Sequence, residues 1–141
     1  MVMATATAVR SGQKTNWNQI RLEWSNQVHD LVQEVRSWSE EQGWRVTEAQ
    51  VELNEAGLGT YILPMLTIDL PEGTAILKPV AQRVLNGQGR VDLYSYPTMD
   101  KVMLFCKGGT WVVRPELGPS WPLAWGKVCF LDLMQRLVIE P

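Results

Sequence analysis

With 141 residues, 45% of them apolar and 20% charged, the chain has the size and core-forming content of one folded domain and is not a disordered protein. A net charge of -2 with no block of like charges argues against a nucleic-acid-binding module, which carries a basic stripe. No apolar run approaches the roughly 20 residues that a membrane span requires.

The first fifteen residues, MVMATATAVRSGQKT, hold two cations and no acid, and they lack the continuous apolar stretch of a signal peptide. They read as a disordered tail (1–15), which leaves 16–141 as a single domain with the cytoplasm as its default compartment. A long helix is expected over about 17–42. Asn16 is its N-cap, Gln19 stands in the capping-box position, and Gly43 occupies the place of a left-handed C-terminal residue. Trp17, Ile20, Trp24, Val28, Leu31, Val35 and Trp38 recur at spacings of three and four, drawing one apolar stripe opposite Arg21, Ser25, Asn26, His29, Gln33 and Arg36.

Strands follow at 45–53 and 60–70. Pro64 lies inside the second and cannot donate to a ladder, so a sheet edge or a bulge is expected there. Pro71-Glu72-Gly73 turns the chain back through 74–78. Pro79 to Leu85 reads as one or two helical turns, with proline at the first position and Asn86-Gly87 as the stop.

The stretch Arg90 to Arg114 organises the rest. It reads as three antiparallel strands, 90–96, 101–107 and 110–114, and Gly108-Gly109 supplies a two-residue hairpin turn. Alternation places Val91, Leu93, Val102, Leu104, Cys106 and Val112 on the core side. Arg90, Asp92, Tyr94, Tyr96, Met103, Phe105, Trp111 and Val113 fall on the other. After a proline-rich loop over 115–122, Ser120 is expected to cap a last helix over about 122–138. Leu123, Lys127, Phe130, Met134 and Leu137 would form its face, widened by Val128, Leu131 and Val138. The expected fold is α+β: a single domain with a long N-terminal helix, an antiparallel meander of about six strands, and a C-terminal helix.

The chemistry-bearing residues are sparse. His29, the single histidine, lies on the polar side of the first helix, and Cys106 and Cys129 read as free thiols rather than a disulfide. This set does not make a zinc site, and no Gly-x-Ser-x-Gly elbow or phosphate loop is present; Gly57-Leu58-Gly59 and Gly87-Gln88-Gly89 read as turns. No catalytic residue, metal or cofactor is therefore assigned. A helix followed by strands bearing Asp69 and Asp92 resembles the shape of restriction-endonuclease-like nucleases. That family needs an acid or Gln two residues before a Lys, and Phe105-Cys106-Lys107 and Ile76-Leu77-Lys78 have neither.

What remains is a surface. Arg90 and Asp92 share a strand face and are spaced for a bidentate pair. Tyr94, Tyr96, Phe105 and Trp111 extend that face, while Trp121 and Trp125 flank Pro122 before the last helix, in a chain with seven tryptophans. These eight are the candidate binding residues. They suit a non-enzymatic protein-interaction module whose partner is another chain or a second copy: a small acidic accessory subunit, an immunity-type protein or a chaperone. In size, charge and element order the chain resembles the small acidic type III secretion chaperones, which are dimers. The alternatives are a small-molecule binder or enzyme with the Arg90/Asp92/Tyr94/Tyr96 face as its floor, and a degenerate nuclease-like domain.

Overall fold

The computed structural model describes residues 16–83, 89–115 and 123–141, so the N-terminal tail (1–15), residues 84–88 with the end of the expected helical turn, and residues 116–122 of the proline-rich loop lie outside the described residues. Helix α1 (Trp17–Glu41) begins where the sequence places it, with Asn16 Oδ1 accepting from the Gln19 backbone N–H at 3.0 Å. The reciprocal half of the capping box is not made, because the Gln19 side-chain amide donates to Glu23 instead. Gly43, at φ +82°, takes the left-handed turn that ends the helix. Trp24, Val28, Leu31 and Val35 of the apolar stripe are buried, and Trp17, Ile20 and Trp38 pack half-buried toward its two ends.

The strands are β1 (Arg45–Glu55), β2 (Gly59–Leu70), β3 (Gly73–Ala81), β4 (Gly89–Tyr96), β5 (Lys101–Lys107), β6 (Thr110–Pro115) and the two-residue β7 (Leu123–Ala124). They form one antiparallel sheet in sequence order, followed by α2 (Lys127–Met134) and a π turn over Gln135–Ile139. Six full strands in a meander between two helices is the α+β fold expected from the sequence. No described helix is long and apolar enough to cross a membrane.

Register divides the sheet into two faces. Leu66 pairs with Leu77, Leu77 with Leu93 and Leu93 with Val102; Val91, Leu104 and Val113 form the next row, and Cys106 faces Trp111. All of these side chains are buried. They join Trp24, Val28 and Leu31 of α1 and Phe130, Met134 and Val138 at the C-terminal end in one cluster. Both helices therefore lie on the same side of the sheet, and among the described residues the opposite side has no layer of its own.

Four expectations are corrected. Trp111 and Val113 belong to the core face and Val112 to the open one: Lys107 pairs with Thr110 across the two-residue turn, so Cys106 must face Trp111 and Leu104 must face Val113. Strand β2 is interior, and β1 is the edge. Pro64 is tolerated because it has a ladder neighbour only in Gln50 of β1, pairing with β3 beginning at Leu66. Buried positions change there from Tyr61 and Leu63 to Leu66, Ile68 and Leu70, marking a bend. Residues 79–81 are strand, not helix. Buried Pro79 faces Val91, and an irregularity follows before Ala81 pairs with Arg90; β2 pairing has already stopped at Leu77, so no neighbour on that side needs the proline's missing N–H. Finally, Leu123 and Ala124 pair with β6, so the last helix starts only at Lys127, with Gly126 rather than Ser120 before it. Its buried face is Phe130, Leu133, Met134 and Val138. Val128 is 83% exposed because it stands two residues, about 200° around the helix, from Phe130.

Candidate functional site: the open sheet face

Side chains of the uncovered face stand in rows set by the ladder. Asp69, Thr74 and Tyr96 form one row; Thr67, Ile76, Tyr94 and Lys101 the next; Lys78, Asp92, Met103 and Arg114 a third; and Arg90, Phe105 and Val112 a fourth. Tyr96 is 58% exposed, while Tyr94, Met103, Phe105 and Val112 are half-buried. An antiparallel sheet with one bare face ordinarily alternates apolar-in with polar-out. Here the outward positions keep aromatic, methionine and β-branched side chains beside the charges.

The Arg90–Asp92 pair forms as expected. Arg90 Nε donates to Asp92 Oδ1 at 2.8 Å and its Nη2 to Oδ2 at 3.0 Å, a two-point contact across adjacent outward positions of β4. Asp92 is 8% exposed, so the pair is set into the face rather than projecting from it. Beside it lies a groove of about 510 Å³, lined by Val51, Glu52 and Leu53 of β1, Lys78, Pro79 and Val80 of β3, Asp92 and Tyr94 of β4, and Met99 and Lys101. The groove lies where the β2–β3 ladder has ended, and it brings β1 residues beside β3.

A polar network holds the tip of the β1–β2 hairpin to the exit of β3. The Glu55 carboxylate accepts from the Gln82 and Arg83 backbone N–H groups at 3.0 and 2.9 Å, and also from the Tyr61 hydroxyl. That hydroxyl accepts from Trp24 Nε1 at 3.2 Å. Burial, reinforced by the Glu55 carboxylate, pushes the Tyr61 phenol far above its ordinary 10.0. Arg83 donates to the Ala56 carbonyl at 3.0 Å with its guanidinium over the Trp17 ring at 4.9 Å, and Arg21 donates to the Leu58 carbonyl at 2.9 Å. This network fixes the wall of the groove that β1 supplies.

Of the eight candidate residues, five are brought together on this face: Arg90, Asp92, Tyr94, Tyr96 and Phe105. Trp111 packs instead against Trp24 under the sheet at a centroid distance of 6.1 Å. Trp125 joins a second aromatic group away from the face, 5.7 Å from Trp38 and 6.0 Å from Phe130. Trp121 lies outside the described residues. Sequence reasoning missed Lys78, Lys101, Val51 and Met99, which only long-range register brings to the groove; the single local signal was the alternation that puts Ile76 and Lys78 on one side of β3.

The other chemistry is dispersed. Asp69 stands level with Tyr96, four residues along β4 from Asp92, a separation of about 14 Å at the usual strand rise. Among the described residues, no group of three or more His, Cys, Asp or Glu is placed to hold a metal ion. His29 is exposed, its Nδ1 2.8 Å from the Ser25 carbonyl. Cys106 and Cys129 are both free, and burial pushes both thiols above 9.0, the opposite direction from an activated thiolate. Comparison with family models, curated proteins and solved structures gives no match for this chain.

Proposed function

We propose that this chain is a non-enzymatic protein-interaction module, of the accessory-subunit, immunity or chaperone kind, that engages its partner through the open sheet face. The observation carrying this reading is the layering: both helices sit on one side, while Tyr94, Tyr96, Met103, Phe105 and Val112 occupy the other. Aromatic and methionine side chains rimmed by charge are the composition enriched at interfaces. The two free thiols fit a reducing compartment such as the cytoplasm.

The test is site-specific photo-crosslinking in the native host, with the crosslinking residue at Tyr96 and, as a control on the far side, at Val128. A discrete crosslinked partner from Tyr96 and none from Val128 is the expected result. Equal crosslinking from both positions, or none from Tyr96, refutes the reading. The groove favours a second reading, a small-molecule binder, since about 510 Å³ falls within the roughly 300–1,000 Å³ of ligand sites and Asp92 and Tyr94 line it.

A further inference from the structure

The groove on the open face lies between two unpaired strand edges. β1 ends the sheet: every residue of it pairs with β2, and among the described residues no strand lies on its other side. It runs for 11 residues without a proline or a bulge, two of the features that commonly blunt an exposed edge. β3 loses β2 after Leu77, so Lys78, Pro79 and Val80 have β4 alone beside them. Val51, Glu52 and Leu53 all line the groove, although side chains at successive strand positions point to opposite faces. Three successive positions share one groove where the strand presents its edge to it, and the lining includes no residue of β2.

From this placement we infer that the groove takes an extended segment of a partner polypeptide as a further strand, hydrogen-bonded to the outer edge of β1. The inference rests on the interaction reading above and adds to it the form of the partner at the site. An unpaired edge offers N–H and C=O groups in register. An extended chain satisfies them, whereas a helix, whose groups are bonded internally, does not. Val51, Leu53 and Val80 supply apolar walls for alternate side chains of the segment. Charge complementarity sets the rest of its chemistry. The lining holds Glu52 and Asp92 against Lys78 and Lys101, so it matches a charge-balanced segment and neither a polyanion nor a polycation. A second copy pairing β1 with β1 is the less favoured occupant. With the two strands fully overlapped, Arg45 opposite Glu55, Glu48 meets Glu52 twice, and like charges directly opposite destabilise a ladder.

The probe is a fluorescein-labelled, charge-balanced heptapeptide, Lys-Leu-Glu-Val-Lys-Leu-Glu, followed by fluorescence anisotropy on the full chain. Two further versions carry N-methyl groups at the even or at the odd positions, which removes the N–H groups of one edge of the peptide strand at a time. One of these should bind at least about tenfold more weakly than the parent and the other within about twofold, because a strand added to β1 uses a single edge. Parent binding should change by less than about threefold between low and high salt. Val80→Arg, at an exposed position in the groove, should weaken it at least about tenfold while keeping the wild-type circular dichroism spectrum. Equal binding by the two N-methylated versions would show that no single edge is used. That result would overturn strand addition yet leave the interaction reading standing, since the Tyr96 crosslink tests that reading alone. No binding of the parent up to about 1 mM, binding undiminished by Val80→Arg, or a dimer in light scattering that excludes the peptide would each overturn the inference as well.

Discussion

Gly89 opens β4 on the core side, opposite Cys106, and the reason for glycine there is space. A methyl group at this position would stand 2.2 Å from Trp24 Cζ3, 2.6 Å from Cε3 and 2.8 Å from Cη2. Carbon atoms rest about 3.5–4.0 Å apart, so the indole or the strand must move by at least ~1.3 Å. The indole is poorly placed to yield: it is 1% exposed, tilted against Trp111, and tied through Nε1 to Tyr61. Overpacking of this kind costs about 1–3 kcal/mol. Breaking the Trp24–Tyr61 bond adds about 1 kcal/mol, and replacing glycine in a strand returns about 0.5–1 kcal/mol. Gly89→Ala is therefore expected to destabilise the fold by about 1–3 kcal/mol, read as a lower urea midpoint with an unchanged slope. The clashing atoms all belong to the six-membered ring of the indole, so Trp24→Phe should absorb much of the damage. The double variant should then be at least about 1 kcal/mol more stable than the two single effects sum to. A Gly89→Ala midpoint within error of wild type, or strictly additive single variants, would refute this account of the packing.

Tyr61→Phe removes the acceptor of Trp24 Nε1 and one donor to Glu55, and should cost about 1–3 kcal/mol at neutral pH by urea titration. Because burial holds the folded phenol above its unfolded value of 10.0, its contribution is complete below about pH 10 and declines as pH rises beyond it. Between about pH 10 and 11.5, wild type should lose stability more steeply than Tyr61→Phe, and parallel slopes would show that the phenol is not the group titrating. Trp111→Ala should cost about 3–5 kcal/mol while Tyr96→Ala stays within about 0.5 kcal/mol but weakens partner crosslinking; matching losses would return Trp111 to the open face. On the last helix, Phe130→Ala should cost about 3–5 kcal/mol and Val128→Ser less than about 0.5 kcal/mol, and a large effect at Val128 would restore the helix phase expected from sequence.

What was legible in the chain followed from local rules. Asn16, the stripe from Trp24 to Val35, and Gly43 each specify their structure within one turn, and α1 formed where they indicate. The β5–β6 hairpin was legible in its turn but misread in its phase. Trp111, Val112 and Val113 are three apolar residues in succession, so alternation says nothing there, whereas the two-residue turn already dictates that Cys106 faces Trp111. Pro79 shows the opposite limit. Its local signal, proline followed by an Asn-Gly stop, suits a helix start, but burial against Val91 of a strand ten residues later overrides it. The start of α2 failed for the same cause: Leu123 and Ala124 are claimed by β6, a partner that no local window contains. The groove is the extreme case, assembled from β1, β3, β4 and the approach to β5.

The sharpest lesson concerns charge. A total of -2 and scattered signs argue against an anion-binding surface only if folding leaves the signs mixed. Alternation along β5 sends Lys101 and Lys107 to the same side, as it does Lys78 on β3 and Arg114 on β6, whereas the acids of α1 are carried on the helix layer. Strand period two thus gathers these cations on one face, where Asp69, Asp92 and the groove's Glu52 stand among them. Within a Debye length of about 8 Å at physiological salt, a partner meets the local face and not the net charge.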